Sequence, residues 1–346
     1  MTIVSNTSAA PAGKDKRNKP KGPWRTALSR LLRDKLAVAS FLFLASIILS
    51  TASATYYADH ISQTDPFQSN LDGHIEISGE PAEIMAADSE GLGLGVTPIG
   101  PTWTGQYLLG ADAQGRDVAA RLLYGGQNSL IVAFSSTALC LLLAGVVGTV
   151  SGFLGGIVDT ILSRLLDIIW AFPIYLLAIS LSIVLISKGL QIGPFHIPSN
   201  SLLLPITIIG VVYVPYVARP IRGQVLTLAK SDFVLASVCL GMPTARILVR
   251  DILPNVVTTL IVFAPIMMSL SILTESSLSF LSIGVQPPAA SWGTIIQDGQ
   301  GLLYTRPLVA IAPGLAIIIT VLCLNFLGDG VKEAFDPKAK LRVGKD

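Results

Sequence analysis

Residues 122–158 read LLYGGQNSLIVAFSSTALCLLLAGVVGTVSGFLGGIV and contain no Asp, Glu, Lys or Arg. A helix needs about 20 mostly apolar residues to cross the hydrocarbon core of a bilayer, and this run is longer than that. Inside lipid, such a segment satisfies its backbone N–H and C=O groups by forming a helix. The stretch therefore predicts a membrane-spanning helix.

The rest of the chain is similarly apolar. Hydrophobic residues make up 51% and charged residues only 13% of the 346 residues, whereas a soluble domain carries about 25% charged residues. The alternating pattern of transmembrane β-strands is absent. We therefore expect an all-α integral membrane protein with six transmembrane helices. The six charge-free runs that predict them are 36–58, 122–158, 168–187, 190–218, 252–274 and 307–328.

Lysine and arginine are distributed unevenly among the segments that connect these runs. An excess of Lys and Arg marks the cytoplasmic side of a membrane protein. With the N-terminus inside, 20 of the 24 Lys and Arg residues fall on the cytoplasmic side. Residues 59–110 carry eight acids and no Lys or Arg. The pattern predicts cytoplasmic N- and C-termini and a large acidic loop outside.

This topology divides the chain into five parts. The predicted parts are a basic cytoplasmic segment (1–35), the first transmembrane helix (36–58), an acidic extracytoplasmic loop (59–121), a core of five transmembrane helices (122–331) with a cytoplasmic loop at 229–255, and a cytoplasmic tail (332–346).

The cytoplasmic segment 232–255, DFVLASVCLGMPTARILVRDILPN, has a helical pattern with breaks. Ser231 is placed to cap a helix. Gly241 is expected to end that helix in a left-handed conformation, and Pro243 to begin a second helix. Pro254 is expected to break the chain again before the fifth span. One face of the first helix carries Phe233, Ala236, Ser237 and Leu240, and the second helix carries Arg246 and Arg250.

The residues of this segment permit two interpretations. Its apolar stripe can dock into the groove of a partner protein, which is a recurring mode of recognition. The same stripe can lie on lipid headgroups. Both interpretations remain open on the pattern alone.

The segment resembles the cytoplasmic coupling loop of ABC-importer permeases, whose pattern is Glu-Ala-Ala, three residues, Gly, and later Leu-Pro. The matching residues are Leu235-Ala236-Ser237, Gly241 and Leu253-Pro254, so Leu235 stands in place of the glutamate. Three other stretches, LLGADAQGRDVAARLLYGGQNSL, TESSLSFLSIGVQPPAASWG and PGLAIIITVLCLNFLGDGVKEAFDP, resemble the C-type subunit of dipeptide and oligopeptide permeases. The likeness is loose over 25–55 and close over 105–340.

The resemblance implies a type I ABC importer permease bundle with a cytoplasmic coupling helix. Its expected partners are a second homologous permease, two ATP-binding cassette ATPases and an extracytoplasmic solute-binding protein, within a lipid bilayer and without nucleic acid. ATP and Mg²⁺ would be bound by the ATPases, so this chain is expected to bind no cofactor or metal and to have no enzymatic activity. The residues expected to couple to the ATPases are Phe233, Ala236, Ser237, Leu240, Gly241, Arg246 and Pro254.

Three residues are candidates for the translocation pathway or its gate. Glu275 lies at the outer end of the fifth span, where an ionisable group is costly and marks a functional candidate; a structural role in hydrogen bonding is the alternative. Trp292 lies in VQPPAASWGTIIQDG, which is too interrupted for a regular span and predicts an outer gate or a packed cap. Pro173 should kink the third helix.

Two extracytoplasmic features have simple alternative interpretations. GADAQGRD, from Gly110 to Asp117, resembles a phosphate-binding loop but lacks its lysine, and we expect a tight turn or a contact with the binding protein. The acidic insert 65–103 can steer a basic partner surface or form a loosely ordered loop.

Other function classes are compatible with parts of the pattern. An ion-coupled secondary transporter should show intramembrane acids, broken helices near mid-bilayer and inverted repeats; Glu275 is the one candidate acid. A membrane zinc peptidase should show His-Glu-x-x-His, which the sequence lacks. Within ABC importers, the substrate could instead be a nickel chelate, glutathione, an opine or a sugar.

Overall fold

The computed structural model describes residues 23–77, 80–87, 95–192 and 195–335. These residues are mainly helical. The α-helices are α1 (Pro23–Leu31), α2 (Lys35–Ala52), α3 (Ala54–Tyr56), α4 (Val118–Leu154), α5 (Gly156–Trp170), α6 (Ile174–Lys188), α7 (Leu203–Val212), α8 (Val214–Leu228), α9 (Asp232–Cys239), α10 (Thr244–Ile247), α11 (Leu253–Phe280), α12 (Trp292–Gly299) and α13 (Leu308–Phe335). The strands are β1 (His74–Ile77), β2 (Glu80–Glu83), β3 (Met85–Ala87), β4 (Val96–Pro98), β5 (Leu190–Ile192) and β6 (Phe195–Ile197).

Six helical units account for the predicted spans. Helices α2, α4 and α13 are long and apolar enough to cross a membrane, as is the continuous helix Thr244–Phe280, which contains α10 and α11. The pairs α5–α6 and α7–α8 meet the same length and composition criteria when each is counted as one span, with bends of 86° and 42°. The predicted helical membrane architecture is therefore confirmed, and two of its spans are bent.

The third predicted span is broken. Helix α5 ends at Trp170, and α6 begins at Ile174 after Pro173, whose backbone is extended with ψ 128°. Proline has no N–H to donate and disfavours the helical conformation of the residue before it. The predicted kink at Pro173 is thus a complete break between two helices.

The fourth predicted span begins later than expected. Strands β5 and β6 pair in antiparallel register, with Leu190 opposite Ile197, and the first helix of the pair starts only at Leu203. Gly189, with φ +69°, ends α6 and turns the chain into this hairpin. The predicted start of the span at residue 190 was wrong because an apolar run can form a short hairpin as well as a helix.

Helix α4 lies at the centre of the bundle and packs against α7, α8 and α11. A Cβ atom on Gly148 would lie 2.6 Å from the carbonyl oxygen of Ala218, and one on Gly152 would lie 2.8 Å from that of Arg222. These two glycines, four residues apart, therefore permit the close approach of α4 and α8. Gly155 and Gly156 do not pack; with φ +63° and +54°, they form the turn between α4 and α5.

The long connection before α4 has a small core of its own. Strands β1 and β2 form one antiparallel hairpin, and β3 and β4 pair as another. Ile84, Tyr107 and Ala111 are buried beneath them. For the described residues, the expected loosely ordered loop is replaced by a folded unit; residues 78–79 and 88–94 of the insert lie outside the described ranges.

Candidate functional site

The segment between the fourth and fifth spans forms a hinged pair of short helices. Helix α9 ends at Cys239 and is followed by Leu240 and by Gly241, whose φ is +71°. The Gly241 N–H donates to the Val238 carbonyl at 2.9 Å and the Met242 N–H donates to the Ser237 carbonyl at 3.1 Å. These two bonds form a Schellman motif, which satisfies the last carbonyls of a helix. The predicted helix end at Gly241 is confirmed.

Apolar side chains of this segment face outward. Leu240 is 78% exposed, and Phe233 is also exposed. We define the coupling surface as the exposed apolar side chains of Phe233, Leu235, Val238, Leu240 and Val249. Val234 and Ile247 are buried and attach the two helices to the bundle. The exposed apolar surface is thus wider than the predicted helix face that carries Phe233 and Leu240, since Leu235 and Val238 are exposed as well.

The other predicted coupling residues have different surroundings. Ala236 and Arg246 are exposed. Ser237 is partly buried, and its hydroxyl donates to Asp251 Oδ2 at 2.9 Å, which links α9 to the turn that follows α10. Sequence reasoning missed Asp251, which lies fourteen residues further along the chain.

Three local expectations were wrong. The Ser231 hydroxyl does not cap α9; it donates to the Leu228 carbonyl at 2.5 Å. Pro243 precedes α10 rather than beginning it. Pro254 does not break the chain, because it lies in the first turn of α11, directly after a π-helical turn at Leu248–Ile252. A proline in the first helical turn removes no hydrogen bond that the helix would otherwise form.

Glu275 and Trp292 belong to one buried hydrogen-bonded cluster. The Ser129 hydroxyl of α4 donates to Glu275 Oε2 at 3.0 Å, and the Ser279 hydroxyl donates to Glu275 Oε1 at 2.7 Å. The Trp292 N–H donates to Ser129 Oγ at 3.1 Å, and its indole Nε1 donates to the Leu122 carbonyl at 3.1 Å. The cluster fixes the start of α12 against α4 and α11. Pro173, in the break between α5 and α6, is not part of it.

Four charged side chains form a compact cluster near the start of α4. Arg116 pairs with Asp112 at 2.7 Å and with Asp298 of α12 at 3.0 Å. Arg121 pairs with the same two acids, at 3.3 and 2.7 Å. Burial raises the pKa of the Asp298 carboxyl, and the positive charges of Arg121 and Arg116 oppose that rise. Sequence reasoning missed this cluster because its members lie up to 186 residues apart.

The GADAQGRD stretch is a tight turn at the start of α4, as one expectation had it. Asp117 Oδ1 accepts hydrogen bonds from the Ala119 and Ala120 N–H groups at 2.8 and 3.1 Å, which caps α4. Gly115 has φ +72°, and a Cβ there would lie 2.0 Å from the Asn70 carbonyl oxygen. Among the described residues, no group of three or more His, Cys, Asp or Glu could hold a metal ion.

Comparison with known proteins identifies the family. Residues 144–341 match the model of the binding-protein-dependent transport system inner membrane component. The chain belongs to this family. Residues 22–75 also match the N-terminal TM domain of oligopeptide transport permease C. The predicted permease class is therefore confirmed, and the chain is a multi-pass inner-membrane component of a binding-protein-dependent transport system.

Relatives in this family align over most of the chain. The oligopeptide transport system permease protein OppC of Haemophilus influenzae is 31% identical over 315 residues, which cover 91% of this chain and 88% of the relative. The glutathione transport system permease protein GsiD of Pectobacterium atrosepticum is 31% identical over 318 residues, 92% of each chain.

The fold also matches a solved structure of an ABC transporter. An inward-facing conformation of the MetNI methionine ABC transporter gives a TM-score of 0.50 at 20% identity and covers 62% of this chain and 96% of that one. This likeness concerns the fold alone and agrees with the predicted type I importer bundle. The broken helices α5–α6 and α7–α8 are a feature expected of secondary transporters, but membership of the family decides against that class.

Proposed function

We propose that this chain is the permease subunit of an ATP-driven importer and forms half of its translocation pathway. A second, homologous permease forms the other half, two ATPases dock beneath the membrane, and a solute-binding protein delivers the substrate outside. ATP and Mg²⁺ are bound by the ATPases. The N- and C-termini lie in the cytoplasm, as the distribution of Lys and Arg indicates.

The coupling surface carries this proposal. Its exposed apolar side chains lie on two short helices between two membrane spans, on the side that the charge distribution assigns to the cytoplasm. A helix with such a face is recognised by an apolar groove. Docking there would let nucleotide-driven closure of the ATPases shift the bundle between inward-open and outward-open states, since a partner shifts an equilibrium through its differential affinity for two states.

Peptides are the substrate class that the relatives favour. The N-terminal family match is to an oligopeptide transport permease, and the Haemophilus influenzae relative is an oligopeptide transport system permease. The relative described as a glutathione permease handles a compound that is itself a small peptide. We therefore propose di- or oligopeptides as the transported solutes.

The test is purification of the chain from its native membrane in mild detergent, with mass spectrometry of the proteins that accompany it. We expect two ATPase chains and one permease similar to this chain. Recovery of the chain alone, or as a homodimer without ATPases, would contradict the proposal and favour a lipid contact for the coupling surface. Uptake of a radiolabelled tripeptide by the reconstituted complex tests the substrate class separately.

A further inference from the structure

Helix α8 is connected tightly to the coupling surface. Three residues, Ala229 to Ser231, separate the end of α8 from the start of α9. The Ala229 N–H donates to the Val225 carbonyl at 2.8 Å, and the Leu235 N–H donates to the Ser231 carbonyl at 3.0 Å. Because hydrogen bonds brace both sides of this turn, a displacement of α9 moves the cytoplasmic end of α8.

Two arginines of α8 form ion pairs with aspartates of helix α5. The Arg222 guanidinium donates to both oxygens of Asp159, at 2.5 and 2.6 Å. Arg219 donates to Asp167 at 2.8 Å and lies over the ring of Trp170 at 5.1 Å. Asp159 is in the first turn of α5, and Trp170 is its last residue. The arginines therefore hold α5 near both of its ends.

A break in the helical backbone precedes α5, and another follows it. Gly155 and Gly156 precede it with positive φ, and a Cβ at either position would meet nothing within 4 Å. Pro173 follows it, and α6 departs at 86°. A helix between two such breaks can pivot as a unit, because hinges are a few element-terminal residues that absorb large changes of φ and ψ.

Arg222 lies where three helices meet. The Ser151 hydroxyl of α4 and the Ser163 hydroxyl of α5 both donate to the same Asp159 oxygen, at 2.5 and 3.1 Å. The side chains of Arg222 and Asp159 are 33% and 19% exposed. A partly exposed ion pair adds little stability by itself, but a bidentate arginine–carboxylate pair fixes geometry. The pair is therefore suited to positioning.

We infer that Arg222 and Asp159 are positioning residues that transmit movement of the coupling surface through α8 to α5 and thereby reorient the broken third span. The inference rests on the proposed function, because the movement originates in the ATPases. Arg219, Asp167 and Trp170 form a second contact between α8 and α5, which would transmit the same movement. Arg164 does not take part in this transmission. Its side chain is 79% exposed, and its ion pair with Asp167, at 4.0 Å, is long and lies within α5.

The experiment measures movement of α5 in the complete transporter, reconstituted in nanodiscs of phosphatidylethanolamine and phosphatidylglycerol. An introduced cysteine, Ile161→Cys, reports from the exposed side of α5; the exposed Cys239 is replaced by serine, and the two remaining cysteines, Cys140 and Cys323, are buried. We expect its rate of reaction with a maleimide to change about threefold or more between the nucleotide-free and the ATP–vanadate state, because trapping shifts the populations of two conformations. Arg222→Asp should abolish this change while the ATPases still co-purify.

Matched variants separate transmission from a structural role. The exchange Arg222→Asp with Asp159→Arg should restore the nucleotide-dependent change, and Arg164→Glu should leave it intact. The milder Arg222→Gln, which adds no charge, replaces Arg222→Asp if that variant does not assemble. Three results would overturn the inference. The nucleotide response could persist in Arg222→Asp or Arg222→Gln, it could be absent from the parent transporter that carries only Ile161→Cys and Cys239→Ser, or the exchange could fail to restore it. Failure of the ATPases to co-purify with the parent would instead refute the proposed function.

Discussion

At Gly241, a single backbone conformation determines how the two coupling helices meet. Its φ of +71° lies in the left-handed region, and a Cβ there would contact nothing within 4 Å. Space is therefore not the constraint. The left-handed conformation costs a residue with a side chain about 1–2 kcal/mol, and asparagine tolerates it best after glycine.

We therefore expect Gly241→Val to impair coupling and Gly241→Asn to preserve most of it. A penalty of 1.4 kcal/mol corresponds to a tenfold change in an equilibrium constant, so Gly241→Val should weaken ATPase binding about tenfold. Titration of the purified ATPases onto the permease pair in nanodiscs measures this affinity. Equal affinities for the two variants would show that the left-handed turn is not needed for docking.

Glu275 is a buried acid, and the hydrogen bonds that its carboxylate accepts indicate whether it is structural or belongs to the translocation pathway. It accepts hydrogen bonds from the hydroxyls of Ser129, Ser276 and Ser279, at 3.0, 3.4 and 2.7 Å, and is fully buried. Ser279 in turn accepts the Val285 N–H at 3.0 Å. These contacts favour the structural role of Glu275 over a place in the pathway, because its oxygens are occupied by the protein itself.

We expect Glu275→Gln to transport nearly normally and Glu275→Ala to be destabilised. Glutamine keeps an oxygen that accepts from the serines, whereas alanine leaves buried hydroxyls unpaired, at about 1–3 kcal/mol for each group. Thermal unfolding of the purified complex and uptake of a radiolabelled tripeptide measure the two effects. Loss of uptake in Glu275→Gln at unchanged thermal stability would restore the pathway role.

These residues show how far sequence reasoning reaches at this scale. The conformation of Gly241 was predictable because glycine alone adopts it cheaply. That Glu275 needs an explanation was predictable from its place in an apolar run. Its partner Ser129 was not, because it lies 146 residues away in the chain and only packing brings the two together.

At the scale of helices, the two prolines that were expected to interrupt spans behave differently. Pro173 separates α5 from α6, whereas Pro254 lies inside the continuous helix Thr244–Phe280. The difference lies in the preceding turn: the π-helical turn Leu248–Ile252 already changes the hydrogen-bond pattern, so Pro254 finds no helical partner to lose. Composition alone does not reveal such a turn, and the sequence therefore predicted only a kink at Pro173 but a break at Pro254.

The contact of α4 with α8 gives a prediction for the bundle. A Cβ on Gly148 would lie 2.6 Å from a backbone oxygen of α8, and a backbone atom cannot move aside as a flexible side chain can. Overpacking of this kind costs about 1–3 kcal/mol. Gly148→Ala should therefore lower the thermal unfolding midpoint of the purified complex.

Gly223 provides the matched control for this helix pair. It is an exposed glycine within α8, and a Cβ there would meet nothing within 4 Å. Alanine is about 0.8–1 kcal/mol more favourable than glycine in a helix interior, so Gly223→Ala should leave the midpoint unchanged or raise it. A decrease for Gly223→Ala that matches that of Gly148→Ala would show that the helix contact does not cause the effect.

At the scale of the whole molecule, the bundle separates a charge-bridged end, which the proposed orientation makes the outer end, from an end that carries the coupling surface. The outer end is held by Asp298, which joins α12 to the start of α4 through Arg116 and Arg121. The helical spans were predictable, because they follow from apolar length. The direction in which they cross the membrane, which the bias of Lys and Arg indicates, stays a prediction. The folded unit before α4 was not, since its short strands and small core depend on contacts between distant residues.

The cysteines of the chain allow this two-ended organisation to be tested. Cys239 is exposed on α9, whereas Cys140 and Cys323 are buried and should not react. Tyr304, between α12 and α13, is fully exposed, so Tyr304→Cys supplies a reporter on the opposite end. A membrane-impermeant maleimide should label Tyr304→Cys in right-side-out spheroplasts and Cys239 in inside-out vesicles.

Stripping the ATPases from the inside-out vesicles should increase the labelling of Cys239, because the docked ATPases would cover α9. Cys239→Ser serves as the background and should show no label there. Labelling of Cys239 from outside would reverse the proposed orientation of the chain. Unchanged labelling after the ATPases have been removed would leave the orientation intact but place their docking site away from α9, so the two halves of the proposal succeed or fail separately.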